Sequence, residues 1–158
     1  MKIQATDPET GAKFEAEAEN VNSSFIESMK KFDMSDGSIK RVIDNLNVSA
    51  DVKSLLYSFS KATIKVGECI LKVGRKIIDF ICQLYKKYPN ATFGLIFGAI
   101  VGFLISSIPI LGVVLGAIFT PLAIAFGLIG GLHEDIKDKE LARKIDEINA
   151  NFSPLKTE

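Results

Sequence analysis

A run of 42 residues without a charged side chain, from Ala91 to Leu132, constrains this chain more than any other feature. Pro109 lies near its middle and divides it into Ala91–Ile108 and Ile110–Leu132. A helix needs roughly 20 apolar residues to cross a bilayer core about 30 Å thick. Each segment has about that length, so the run predicts two transmembrane helices joined by a tight turn at Pro109.

The rest of the sequence predicts a mainly α-helical chain with a small N-terminal β-hairpin. Residues 1–49 show alternating strands around a Pro-Glu-Thr-Gly turn at 8–11, followed by two short amphipathic helices. No proline interrupts residues 50–88, which predict one long basic amphipathic helix with Ser49 as its N-cap. Beyond the apolar hairpin of 91–132, residues 133–158 predict a charged C-terminal helix and tail.

Positive charge is concentrated directly before the apolar run, because residues 61–90 carry seven basic and two acidic side chains. Lys and Arg in this position favour contact with anionic lipid headgroups. The side chains expected at the membrane surface are Lys72, Arg75, Lys76, Lys86 and Lys87. The apolar side of the same segment suits either the bilayer interface or partner helices.

Glycines recur at four-residue spacing within the apolar run, which lets helix backbones approach closely in lipid. Two rows predict helix packing and oligomerisation; their glycines are Gly94, Gly98, Gly102, Gly112, Gly116, Gly127 and Gly131. The rows serve either to close the hairpin on itself or to join subunits. We expect a homo-oligomer, because two rows exceed what a single intramolecular contact needs.

Basic residues flank both ends of the predicted hairpin, and cytosolic loops are rich in Lys and Arg. The first twenty residues lack the apolar stretch of a secretory signal. We therefore expect a multi-pass membrane protein with both termini in the cytosol, most simply in a bacterial inner membrane. Cys69 and Cys82 suit a reduced compartment and are expected to be packing residues.

The residues needed for common catalytic sites are missing from the sequence. His133 is the only histidine, which excludes a multi-histidine metal site and a conventional triad. No Walker or dinucleotide motif is present, and zero net charge without tryptophan argues against nucleic-acid binding. Glu15, Glu17 and Glu19 alternate on a probable strand and are expected to form a solvated acidic face. We expect a protein that is not an enzyme and has no cofactor.

The segment FGLIFGAIVGFLISSIPILGVVLGAIFTPLAIAFGLIGG resembles the hydrophobic hairpin of colicin-type pore-forming domains. That resemblance implies a hairpin held under amphipathic helices until it inserts into a membrane. The same segment looks like bacterial effectors that insert into host membranes and like class II holins with two crossings. Only 116 residues remain outside the run, so we expect lipid or a sister subunit, rather than the chain itself, to cover it.

These features lead to one principal hypothesis and two alternatives. The principal one is a membrane-inserting, oligomerising hairpin protein that perturbs or perforates a bilayer, as a toxin, a holin-like protein or a defence effector does. In the first alternative the hairpin is an anchor or scaffold that tethers a cytosolic region, which binds a protein partner through its helices. In the second, the hairpins form the interior of a soluble oligomer.

Overall fold

The computed structural model describes residues 1–32, 34–127 and 138–156 and has a mainly helical fold with one small sheet. Its strands are β1 (Lys2–Thr6), β2 (Lys13–Glu17), β3 (Thr63–Val66) and β4 (Cys69–Leu71). Its longer helices are α1 (Ser23–Lys30), α2 (Asp36–Asp44), α3 (Ala50–Ser60), α4 (Val73–Lys87), α7 (Pro109–Ala125) and α8 (Lys139–Asn151). Between α4 and α7 lie α5 (Phe93–Phe97), a π-helix (Gly98–Gly102) and α6 (Phe103–Ser107), and a 3₁₀ turn (Ser153–Leu155) follows α8.

The predicted N-terminal hairpin is confirmed and forms half of a four-stranded antiparallel sheet with strand order β2-β1-β3-β4. Only one side of the sheet is covered. Ile3 and Ala5 of β1 and Ile64 of β3 point into the core and are fully buried. The other side carries mostly polar side chains, as is usual when an antiparallel sheet faces water on one side.

The prediction of a single helix over residues 50–88 is wrong, because a β-hairpin interrupts it. Thr63–Val66 alternates in exposure, as a half-buried strand does, and a two-residue turn at Gly67-Glu68 reverses the chain. Gly67 has φ +61°, the conformation that a type II′ turn requires at its first position. This glycine therefore makes the turn that divides the predicted long helix.

The two short helices predicted within residues 1–49 and the predicted C-terminal helix are present. Asn22, Ser35 and Ser49 each cap a helix by accepting a hydrogen bond from a backbone N–H of its first turn. Asp138 caps α8 in the same way. The C-terminal helix ends at Asn151, and residues 133–137 lie outside the described residues.

The apolar run does form a helical hairpin, with its turn where the sequence predicts it. The α5, π and α6 segments follow one another without a break, and Ile108 joins them to α7, which starts at Pro109. Proline suits the first position of a helix because its missing N–H would have no partner there. Helix α7 packs against α3, α6 and the inner side of β1 and β2.

The transmembrane prediction is contradicted. Among residues 1–32, 34–127 and 138–156, no helix combines the length and apolar character that a bilayer crossing needs. Helix α7 has 17 residues, about 25 Å at 1.5 Å per residue, which is short of a 30 Å hydrocarbon core. The expectations of a pore and of a multi-pass membrane location depended on such helices, so they are wrong together with the transmembrane prediction. Part of the second predicted crossing, residues 128–132, lies outside the described residues.

The chain also covers much of the apolar run itself, contrary to the expectation that lipid or another subunit must do so. The hairpin side chains with at most 1% exposure are Ile96, Phe97, Ile100, Val101, Leu104, Ile108, Leu111, Val114, Leu115, Ile118 and Leu122. They share one core with the sheet and with α1 to α4. The run is therefore the centre of the fold.

Helices α3 and α4 approach closely at Gly74. A Cβ atom there would clash with the carbonyl oxygen of Phe59 and lie 3.1 Å from the Ser60 carbonyl. The Gly74 N–H donates to the Ala62 carbonyl oxygen at 3.0 Å, which fixes the backbone at this point. Gly74 thus permits a close contact between α4 and the preceding helix of the same chain.

We predict that Gly74→Ala lowers the free energy of unfolding by about 2–3 kcal/mol, because the added methyl must displace backbone atoms. Urea denaturation followed by circular dichroism measures the change. Gly37→Ala in α2 is the matched control, since nothing lies within 4 Å of its Cβ position. Its helix propensity should instead raise stability by up to about 1 kcal/mol. Equal effects of the two substitutions would contradict the close approach.

Candidate interaction surface

One side of α7 is apolar and exposed. Two residues turn a helix by about 200°, so positions two apart lie on nearly opposite sides of α7. Four buried positions are each followed two residues later by an exposed one; the buried positions are Leu111, Leu115, Ile118 and Leu122. The exposed positions are Val113, Ala117, Thr120 and Ile124, which we call the α7 face. Val113 is 53% and Ile124 57% exposed, and Phe103 on α6 is 49% exposed.

The hydroxyl groups of the helical hairpin are satisfied within their own helices. Thr120 Oγ1 donates to the Gly116 carbonyl oxygen at 3.1 Å, and the Ser106 and Ser107 hydroxyls each donate to a carbonyl oxygen four residues earlier at 2.7 Å. No charged residue occurs between Ala91 and Gly127. The α7 face is therefore neutral and apolar, and a partner that binds it desolvates few polar groups.

The predicted glycine rows have different roles. Gly94 lies against Phe126, because a Cβ added to Gly94 would be 2.8 Å from the Phe126 Cβ. Gly112 lies against the Ile105 carbonyl oxygen, because a Cβ added to Gly112 would be 2.7 Å from that oxygen. These two glycines close the hairpin on itself. No atom of the described residues lies within 4 Å of the Gly116 Cβ position, so its small size serves no close contact within that part of the chain.

The remaining glycines of the rows are placed as follows. Gly98 and Gly102 are buried at the two ends of the π-helix. Gly127 has φ +74° just after α7, the conformation that glycine commonly adopts where a helix ends. Gly131 lies outside the described residues.

The basic side chains predicted at a membrane surface are largely engaged with the chain itself. Arg75 donates to the Met34 carbonyl oxygen and to the Asp36 carboxylate, both at 3.0 Å. Lys76 lies over the rings of Phe32 and Phe80, and burial lowers its pKa. Lys87 approaches Glu140 at 4.0 Å, while Lys72 is half-buried and Lys86 exposed. This arrangement ties α4 to its neighbours.

Arg75 is the centre of a clamp that joins three helices. Its guanidinium lies on α4 and is mostly buried, Asp36 begins α2, and the Tyr57 hydroxyl on α3 donates to the other Asp36 oxygen at 2.7 Å. The hydrogen bond to Asp36 is the main cause of a raised Tyr57 pKa. Sequence reasoning missed this clamp because Asp36 and Arg75 are 39 residues apart.

No group of three or more metal-ligating side chains occurs in the described part of the chain. Glu15 and Glu17 pair with Lys2 and the N-terminal amine, in keeping with a solvated face. The only histidine, His133, lies outside the described residues. Cys82 is buried, and desolvation, reinforced by Asp79, raises its pKa to about 12.

No family model, curated protein or solved structure matches this chain. Its function must therefore be argued from its own surface, and the α7 face is the feature of that surface that most needs an explanation.

We predict that Cys82 resists alkylation in the native protein at pH 8, where a thiol of pKa 12 is ionised in about one molecule in ten thousand. Mass spectrometry after treatment with iodoacetamide measures labelling at each cysteine. Cys69, which is partly exposed, should react first. Both should react in urea, and equal native rates would contradict the burial of Cys82.

Proposed function

We propose that the protein is a non-catalytic scaffold that self-associates through the α7 face. The observation that carries the proposal is that α7 is apolar on all sides but covered on only one. A helix that is apolar all round is normally buried all round. A second copy of the chain supplies the missing cover.

The arrangement of the α7 face suits a two-fold axis. Ala117 is the middle residue of α7, and Gly116 beside it offers open space for a second backbone. Val113 and Thr120 lie about one helical turn to either side. If two copies cross antiparallel at this point, Val113 of each packs beside Thr120 of the other. Contacts of this reciprocal kind define the interface of a symmetric dimer.

Charge also favours a second copy as the occupant. The α7 face carries no charge, whereas the outer side of the sheet and the outer sides of α4 and α8 carry many. A neutral apolar surface is matched best by another neutral apolar surface, because a charged partner would lose hydration without gaining an ion pair. Within the described part of the chain, the face that meets this requirement is the α7 face itself.

The size of the face sets the strength of the association. A helix about 25 Å long with a contact strip roughly 10 Å wide buries on the order of 250 Å² per copy. Stable interfaces bury about 1,200–2,000 Å² in total. The dimer is therefore weak and reversible, which suits a scaffold whose assembly responds to local concentration.

We predict that Gly116→Leu weakens self-association at least tenfold, because the new side chain holds the two backbones apart. The same change should raise the stability of the isolated subunit by up to about 1 kcal/mol, since glycine is a poor helix former and its Cβ position is open. Sedimentation equilibrium over a wide concentration range measures the first effect, and urea denaturation measures the second.

Two charge substitutions test the surface independently. Val113→Glu should abolish self-association without unfolding the subunit, because the position is 53% exposed. Ile70→Glu is the matched control, since Ile70 is 62% exposed but lies on β4 at the far edge of the sheet, and it should leave self-association unchanged. A wild-type protein that stays monomeric at millimolar concentration would overturn the proposal. The proposal would also be overturned if the protein bound neutral lipid vesicles in a flotation assay through the α7 face, and if Val113→Glu and Gly116→Leu left the molecular mass in solution unchanged.

A further inference from the structure

Helix α8 lies beside the π-helix in the first arm of the helical hairpin. Its backbone runs close to the π-helix of Gly98–Gly102, which has glycine at both ends. The side chains of Leu141, Ile145 and Phe152 anchor it in the core, and the Phe152 ring meets Phe80 edge-on at 6.2 Å. The π-helix part of the first glycine row, for which the sequence left hairpin closure and subunit contact open, thus lies next to a helix of the same chain.

The buried side of α8 contains an unsatisfied polar group. Asn149 is 6% exposed, and its side-chain oxygen has no hydrogen-bond partner among the described residues. In the undocked state this oxygen would bond to water. Docking therefore leaves an acceptor unpaired, which weakens the docked state by a factor of roughly ten. An apolar residue of similar shape would remove that penalty.

The contact between α8 and α4 is also incomplete. A groove of about 390 Å³ separates the two helices, with Phe80 and Leu84 on one wall and Ile148 on the other. The ion pair across it joins Lys87 to Glu140 at 4.0 Å, the outer limit for such a pair. The Tyr88 hydroxyl at the same junction is buried, and its interaction with Glu140 falls outside hydrogen-bond geometry, so it has no hydrogen-bond partner among the described residues. Burial and the nearby Glu140 raise its pKa.

We infer that α8 and the following turn, residues 139–155, form a displaceable strap over the helical hairpin. The two buried side-chain atoms without a partner in the described chain both lie at this one interface, and elements of low local stability open as units before the rest of a protein unfolds. Release of the strap uncovers the π-helix, a second neutral surface with glycines on it. The inference goes beyond the proposed self-association and does not depend on it.

Hydrogen exchange of the full-length protein at a series of low urea concentrations tests the strap. The amides of α8 should exchange through a partial opening, at least tenfold faster than those of α3 and α7 and with a weaker dependence on urea. Asn149→Leu should slow exchange in α8 about tenfold and leave α3 unchanged, because it removes the unpaired acceptor. Ile148→Ala, which removes an apolar contact of α8 with the body, should speed exchange in α8 alone.

Two results would overturn the inference. One is exchange of α8 at the same rate and with the same urea dependence as α3 and α7, which would make it part of the global unfolding unit. The other is an Ile148→Ala variant in which exchange accelerates equally in all helices. Because this second variant only shortens a side chain, the test stands even if the larger leucine does not fit at position 149.

Discussion

The packing of α7 against the sheet, α3 and α6 is the contact on which the rest of the structure depends. Its side chains Leu111, Leu115, Ile118 and Leu122 are fully buried, and the helix packs against β1 and β2. A sheet of four short strands with one covered side needs such a partner to be stable. The other helices attach to this pair, with Gly74 bringing α4 against α3 and the Arg75 clamp fixing α2.

The same helix creates the surface that we propose for association, because its apolar character exceeds what the fold uses. Positions two residues apart on α7 are equally apolar, yet one set is buried and the other exposed. Gly116 illustrates the surplus, since Gly94 and Gly112 make close contacts within the subunit and Gly116 makes none. Surface that folding leaves unused in this way is available for association, and its neutrality limits the choice of partner.

Local signals in the sequence predicted local structure well. The cap at Ser49, the N-terminal hairpin and the turn at Pro109 follow from residue chemistry within a few positions, and all are present. The hairpin at Gly67 was missed because its flanking residues also fit a helical pattern. The environment of α7 could not be read at all, since a uniformly apolar helix has the same sequence pattern in a bilayer and in a protein core. Likewise, the exposed side of α7 depends on which neighbours the fold supplies.

The most direct test of this account compares two adjacent valines of α7, Val113 at 53% exposure and Val114 at 1%. Each is replaced by cysteine in a Cys69→Ser background, and labelling by a water-soluble maleimide is followed at low micromolar concentration. The account predicts that Val113→Cys reacts rapidly and Val114→Cys at least a hundredfold more slowly. Equal protection of both positions, as lipid on all sides would produce, or equal reactivity of both would contradict it.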